Sequence, residues 1–152
     1  MDEPPIVEIA NEQTACTIDE SLMRRAILEI LAGEGVVRGQ ISVALVDDPT
    51  IHEINRRHLQ HDYPTDVISF VLECEDGYLD GEVVASADTA CCVAGELGWP
   101  AESELLLYVV HGTLHLVGYD DQSDEDRKEM RIRERLYLAR FGLVPPWQEP
   151  QE

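Results

Sequence analysis

Lysine is almost missing from this chain. Of its 11 basic residues only Lys128 is one, and they face 31 acids, for a formal net charge of −20. A field of that sign repels nucleic acid at long range, so any nucleic-acid role needs a local basic surface. Long apolar runs are missing too: no stretch approaches the ~18 to 20 residues that a membrane span requires. The opening Met-Asp-Glu-Pro-Pro is acidic where a secretory signal is basic and then apolar. A cytoplasmic protein with no membrane partner is expected. Cysteine is scarce, and Cys16, Cys74, Cys91 and Cys92 form no CxxC pair and no zinc-ribbon spacing. Reduced thiols are therefore expected rather than a disulfide framework. Repeats and linkers are absent as well. A length of 152 residues then predicts one domain over residues 1–143, with 144–152 as a frayed, proline-containing acidic tail.

What is present is the composition of a globular protein, 44% hydrophobic and 28% charged, with signals for strands and helices interleaved. Residues 6–10 predict a first strand. Thr17-Ile-Asp-Glu20 reads as a capping box, followed by apolar residues at helical spacing until Gly33 and Gly35. Residues 40–46 alternate as a strand and close on Asp47-Asp48-Pro49-Thr50. Pro49 can open a short helix carrying Ile51, Ile54 and Asn55. A polar, irregular segment over 58–64 follows. Strands are expected over 66–72 and 81–87, joined by an acidic connection over 73–80. Asp88 can cap a helix running to Gly98. Pro100 suits a first helical turn, and from Glu104 the chain is apolar nearly all round, the mark of a core helix. Ser123 caps a last helix to about Arg140. Its positive charges, Arg127, Lys128, Arg131, Arg133 and Arg135, could offer RNA a local basic stripe, but pairing along the helix with Asp124, Glu125, Asp126, Glu129 and Glu134 is the expected role.

The core helix carries the chemistry. His111 and His115 lie four apart and point the same way, one turn from each other, which suits two adjacent positions on a tetrahedral ion. Gly118 can end the helix and turn the chain back, so that an acid three residues on meets both imidazoles. Asp120 and Asp121 are adjacent there, and the spacing favours Asp121. Burying two histidines in an apolar helix costs stability unless both are satisfied, and one metal ion satisfies both. Three ligands with an open position describe a hydrolytic metal site. The expected cofactor is one divalent metal ion with zinc as first choice, and the carboxylate extends the options toward manganese or iron.

The same spacing frames the metzincin peptidases, which place a glutamate directly after the first histidine as general base. This chain has Gly112 at that position, which demotes a peptidase. A second segment, from Asn55 through Arg56 and Arg57 to Pro64-Thr65-Asp66-Val67-Ile68-Ser69-Phe70, reads as a polar loop leading into a strand. A substrate phosphate could be held there. Arg56 and Arg57 are the candidate catalytic side chains, and Thr65 and Ser69 the candidate substrate contacts.

Together the two segments resemble the YbeY family, the bacterial rRNA maturation endoribonucleases. That family's helix motif is HGxLHLxGYDH, against His111-Gly-x-Leu-His115-Leu-x-Gly118-Tyr119-Asp120-Asp121 here. Its Pro-Thr-(Asp/Asn)-Val-Leu-Ser-Phe block is similar to residues 64–70, and its Gly-Asp-Ile-Val-Ile strand to Gly81-Glu82-Val83-Val84-Ala85. The resemblance implies an α+β, zincin-like fold, a small mixed sheet packed with helices around a metal-bearing core helix. It implies zinc held by His111 and His115, with Asp121 aligned to the usual third histidine. It further implies single-strand-specific endoribonuclease activity in maturation of the 16S rRNA 3′ end and in ribosome quality control. The partners would be ribosomal RNA and the ribosomal small subunit, and the protein a monomer.

Two departures from the family pattern stand out. Asp121 replaces a histidine, and Leu59 falls where the family has an arginine linked to activity. Arg56 or Arg57 could reach the same cleft from a neighbouring position. Leu59 and the acidic charge also keep open a second class, a ribosome-assembly binding factor with a structural or weakened metal site. A metallopeptidase is the third and weakest.

Overall fold

The structure, a computed structural model, describes residues 3–61 and 65–147. Its elements run β1 (Ile6–Asn11), α1 (Glu20–Gly33), β2 (Arg38–Val46), α2 (Asp48–Leu59), β3 (Val67–Glu75), β4 (Tyr78–Ser86), α3 (Ala87–Leu97), α4 (Ala101–Leu116) and α5 (Asp124–Ala139). The strands form one mixed sheet in the order β1-β2-β4-β3. β1 and β4 both run parallel to β2, while β3 is antiparallel to β4. This is the α+β architecture with a small mixed sheet that the sequence led us to expect.

Alternation along β2 sorts its side chains to two faces. Ile41, Val43 and Leu45 join the main core with α1, α4 and α5, while Val46 on the other face packs with Ile51 of α2, Ile68 and Val84. Helix α4 is the buried centre of the larger core, where Leu105, Val109, Val110 and Leu114 are fully enclosed. It lies tight against the sheet. A Cβ added to Gly112 would stand 2.7 Å from Val83 Cγ1 and 3.0 Å from Ser69 Oγ.

Several local boundaries differ from the sequence-based expectation, each for a physical reason. Helix α1 is capped by Asp19, whose side chain accepts from Leu22 N at 3.0 Å, and not by Thr17. The Asp19 N–H is itself taken by Glu102 Oε1 at 2.8 Å, a contact 83 residues away in sequence that holds Asp19 in its extended capping conformation. Helix α3 is capped by Ser86 rather than Asp88. The Asp88 carboxylate instead accepts from the backbone N–H of Asp48 at 2.8 Å, stitching the start of α2 to α3.

Strands β3 and β4 run longer than expected, up to the two-residue turn Asp76-Gly77. Gly77 has φ +76°, the positive angle that a tight Asp-Gly hairpin turn requires. Helix α2 extends to Leu59 and so takes in Arg56 and Arg57, which the sequence placed on a loop. Basic side chains in a last turn complement the helix dipole, and both pair back to Glu53. Helix α5 begins at its Ser123 cap as expected.

Past α5, Pro145 is buried and the Trp147 ring lies under the guanidiniums of Arg131 and Arg135, at 4.8 and 4.6 Å. Residues 148–152 of the expected tail, and residues 62–64 of the expected polar segment, lie outside the described residues. All four cysteines are free. Among the described residues no helix is long and apolar enough to cross a membrane.

Candidate metal centre

Helix α4 presents His111 and His115 on the one face that is not enclosed. Their side chains are 22% and 27% exposed at the floor of a cleft of about 510 Å³. After the helix, Gly118 takes φ +112°, a backbone angle that side-chain-bearing residues rarely adopt, and the chain reverses. The returning loop is pinned by Tyr119, whose hydroxyl donates to Glu34 Oε1 at 2.9 Å while the Arg133 guanidinium covers its ring at 5.5 Å. Asp120 Oδ1 accepts the Asp121 N–H at 2.8 Å, which leaves Asp121 as the acid that points inward.

The three groups converge. His111 Nε2 and His115 Nε2 are 3.1 Å apart, and each lies 3.3 Å from Asp121 Oδ2. Bonds of ~2.05 Å in a tetrahedron give ligand-to-ligand edges of about 3.3 Å, so the triangle has the size of one face of a zinc coordination sphere. Among the described residues these three form a cluster able to hold a metal ion.

The tautomer agrees. His111 Nδ1 lies 2.6 Å from Glu134 Oε2, so Nδ1 carries the proton and donates, leaving the Nε2 lone pair toward the cleft. Glu134 is fully buried and also accepts from Arg131 Nη1 at 2.8 Å. Burial works against a charged His111, yet the hydrogen bond and charge of Glu134, with Asp121 and Asp66 beyond, outweigh it and raise the imidazole above its ordinary value. Surroundings that draw a proton to this position also draw a cation. The donor set, its spacing and its tautomer therefore fit a divalent ion.

The remaining sequence-derived residues divide. Thr65 and Ser69 both line the cleft. Ser69 Oγ donates to the Gly112 carbonyl at 2.8 Å, tying β3 to α4, and Thr65 Oγ1 donates to Asp66 Oδ1 at 3.4 Å. Arg56 and Arg57 are not among the described lining residues. Their guanidiniums hold Glu53 at 2.8 and 2.9 Å and are 55% and 71% exposed. Leu59 does line the cleft. On α5 part of the expected intrahelical pairing forms, Arg127 with Asp124, Arg131 with Glu134 and Arg133 with Glu129, while Arg135 donates to the Trp147 carbonyl.

Two residues of the site escaped the sequence reading. Glu134 sits three places after Arg131 among many charges, and nothing local separates a carboxylate that orients a ligand from one that pairs with an arginine. Asp66 lines the cleft and bonds the Val67 N–H at 2.8 Å. Its signal was the acid inside the Pro-Thr-Asp block, read there as a strand start.

Comparison with known proteins places these features in context. The family model described as Endoribonuclease YbeY matches residues 8–142. A protein named Endoribonuclease YbeY from Rhodopirellula baltica is 51% identical over 126 residues, covering 82% of this chain and 65% of that protein, just under two thirds of its length. One of the same name from Pelotomaculum thermopropionicum is 38% identical over 149 residues, covering 91% of this chain and 98% of that protein. The solution structure of TM1509 from Thermotoga maritima superimposes with a TM-score of 0.64 at 28% identity, covering 97% of this chain and 99% of that one.

Proposed function

This chain belongs to the Endoribonuclease YbeY family, and from that premise we propose that it is a metal-dependent endoribonuclease cutting single-stranded RNA. Its substrate on this reading is precursor ribosomal RNA at the 16S 3′ end, met on the small subunit in the cytoplasm by a monomer that also serves ribosome quality control. The observation that carries the reading is the triangle of His111 Nε2, His115 Nε2 and Asp121 Oδ2, open on its remaining side to the cleft.

A zinc ion held by these residues would supply the Lewis acidity that activates water or the scissile phosphate. The chain's own residues do the rest. Glu134 fixes the His111 tautomer and ring plane. Ser69 holds the Gly112 carbonyl, which keeps the cleft's β3 wall in register with the metal helix. Arg56 and Arg57 are the guanidiniums nearest in sequence to Leu59, which lines the cleft. Released from Glu53, one of them would meet an incoming phosphate and offset its charge. In a chain of net charge −20 such local positive charge is what lets RNA approach.

The second reading, a ribosome-assembly factor with weakened catalysis, is favoured by one observation: an apolar Leu59 lines the cleft where the family has arginine. A peptidase is disfavoured by packing, since Gly112 stands where the general base would be and even a Cβ there meets Val83 at 2.7 Å.

The deciding experiment is cleavage of a model rRNA precursor by zinc-loaded protein, with His111→Ala and His115→Ala as controls and a peptide substrate alongside. Cutting by the wild type alone is expected. RNA binding without cutting would select the assembly factor, and equal cutting by the variants would expose a contaminating nuclease.

A further inference from the structure

Beside the metal centre, along the same face of α4, lies a second cavity of about 390 Å³ between α3, α4 and α5. Asp66, Val67 and His111 line both it and the metal cleft, so the two spaces meet at a ligand of the metal centre. Its walls are Val93 and Leu97 from α3, Leu107 and Tyr108 from α4, and Trp147. The volume falls within the range of small-molecule sites, and the apolar walls suit a flat, uncharged group.

Polar groups narrow the class of ligand. Three carboxylates line the space, Asp66, Glu104 and Glu134, against the single described cation Arg131, which is already engaged by Glu134 and stacked on Trp147. A phosphate is repelled there. A group that donates hydrogen bonds is welcomed. Glu104 is enclosed at 4% exposure, and its Oε1 accepts from Trp99 Nε1 at 2.8 Å. A carboxylate accepts up to about four hydrogen bonds, so it keeps capacity for a ligand donor.

Proteins that read single-stranded RNA splay its bases out and hold them by their faces and edges. We propose that this cavity is the subsite for an unpaired base with an exocyclic amino group, adenine, cytosine or guanine, of the nucleotide next to the bond that is cut. The inference rests on the nuclease reading above. Burial raises Glu104 above the usual carboxyl range even though Trp99 and Tyr108 bond to it, which agrees with an acceptor still short of positive partners.

The chain's two tryptophans report on this space, because Trp147 lines it and Trp99 bonds Glu104. The full-length, zinc-loaded protein is titrated with adenosine, cytidine, uridine and inorganic phosphate while tryptophan fluorescence is followed. Adenosine and cytidine should give a saturable change, and uridine, which has no exocyclic amino group to donate, should bind about tenfold more weakly. Phosphate should leave the signal unchanged.

Val93→Phe fills the cavity. It should abolish the nucleoside response, retain normal zinc uptake as proof of folding, and flatten the base preference seen in cleavage of oligonucleotides varied next to the cut. Equal binding of all three nucleosides, or an unchanged base preference in Val93→Phe, overturns the subsite while cleavage itself stands. Absence of cleavage by the zinc-loaded wild type overturns the nuclease reading instead, and with it the assignment of the cavity to a cleavage subsite.

Discussion

Glu134 Oε2 lies 2.6 Å from His111 Nδ1, and through that contact helix α5 orients an imidazole carried by helix α4. Replacing a carboxylate that orients a metal-binding histidine weakens metal affinity by about 10- to 100-fold. Glu134→Gln keeps the volume and removes the charge. Competition against a chromophoric chelator should show a loss in that range, and an affinity equal to wild type would mean that Glu134 serves only Arg131.

Which aspartate ligates is decided by a paired comparison. Asp121→Asn replaces the oxygen that lies 3.3 Å from both imidazoles, and it should lose at least about tenfold in zinc affinity because a neutral amide lacks the charge with which a carboxylate binds zinc. Asp120→Asn removes only a side-chain bond to the backbone, so its affinity should stay near wild type. The reverse order would reassign the third ligand.

Gly112→Ala should destabilise the fold by about 1 to 3 kcal/mol, as overpacking between elements does. The added methyl meets Val83 Cγ1 and Ser69 Oγ, both held against the sheet. Urea denaturation reads the loss. Unchanged stability would show that β3 and β4 yield where the structure has them firm.

Glu104 predicts a pH dependence with a definite sign. Burial raises its pKa in the folded state, outweighing the bonds from Trp99 and Tyr108 that favour the charge. The folded protein therefore binds a proton that the unfolded chain has released, and this group's contribution is complete below its unfolded pKa of about 4.3 and lost as pH rises through the raised folded value. Glu104→Gln removes that component. Wild type minus variant stability, measured by urea midpoints from acid to neutral pH, should fall as pH rises, and a flat or rising difference contradicts it.

Removal of metal gives the last test. Chelation should abolish RNA cleavage and lower the Tm, and zinc should restore both, since an ion bound only by the folded protein stabilises it in proportion to its saturation. RNA cleavage that persists in chelator would separate the activity from the three ligands.

Local chemistry made much of this protein legible in advance. An apolar run punctuated by His111, His115 and Gly118 announced a core helix, its polar face and its reversal, because helical periodicity and a glycine's freedom are properties of a few adjacent residues. Ser123 before an acidic first turn located α5 for the same reason. The Asp76-Gly77 turn carries an equally local signal, set within the longer acidic stretch 73–80 whose other residues continue the strands.

Periodicity and capping chemistry, then, determined by themselves that there would be a core helix with two histidines on one face and an acid returning to them. Tertiary packing alone decided what surrounds it. Glu134 reaches His111 across 23 residues of sequence and Tyr119 reaches Glu34 across 85. Arg56 and Arg57 were drawn onto a helix beside Glu53, away from the cleft that Leu59 lines. No spacing rule encodes such meetings, because they depend on which helix faces the core pushes together.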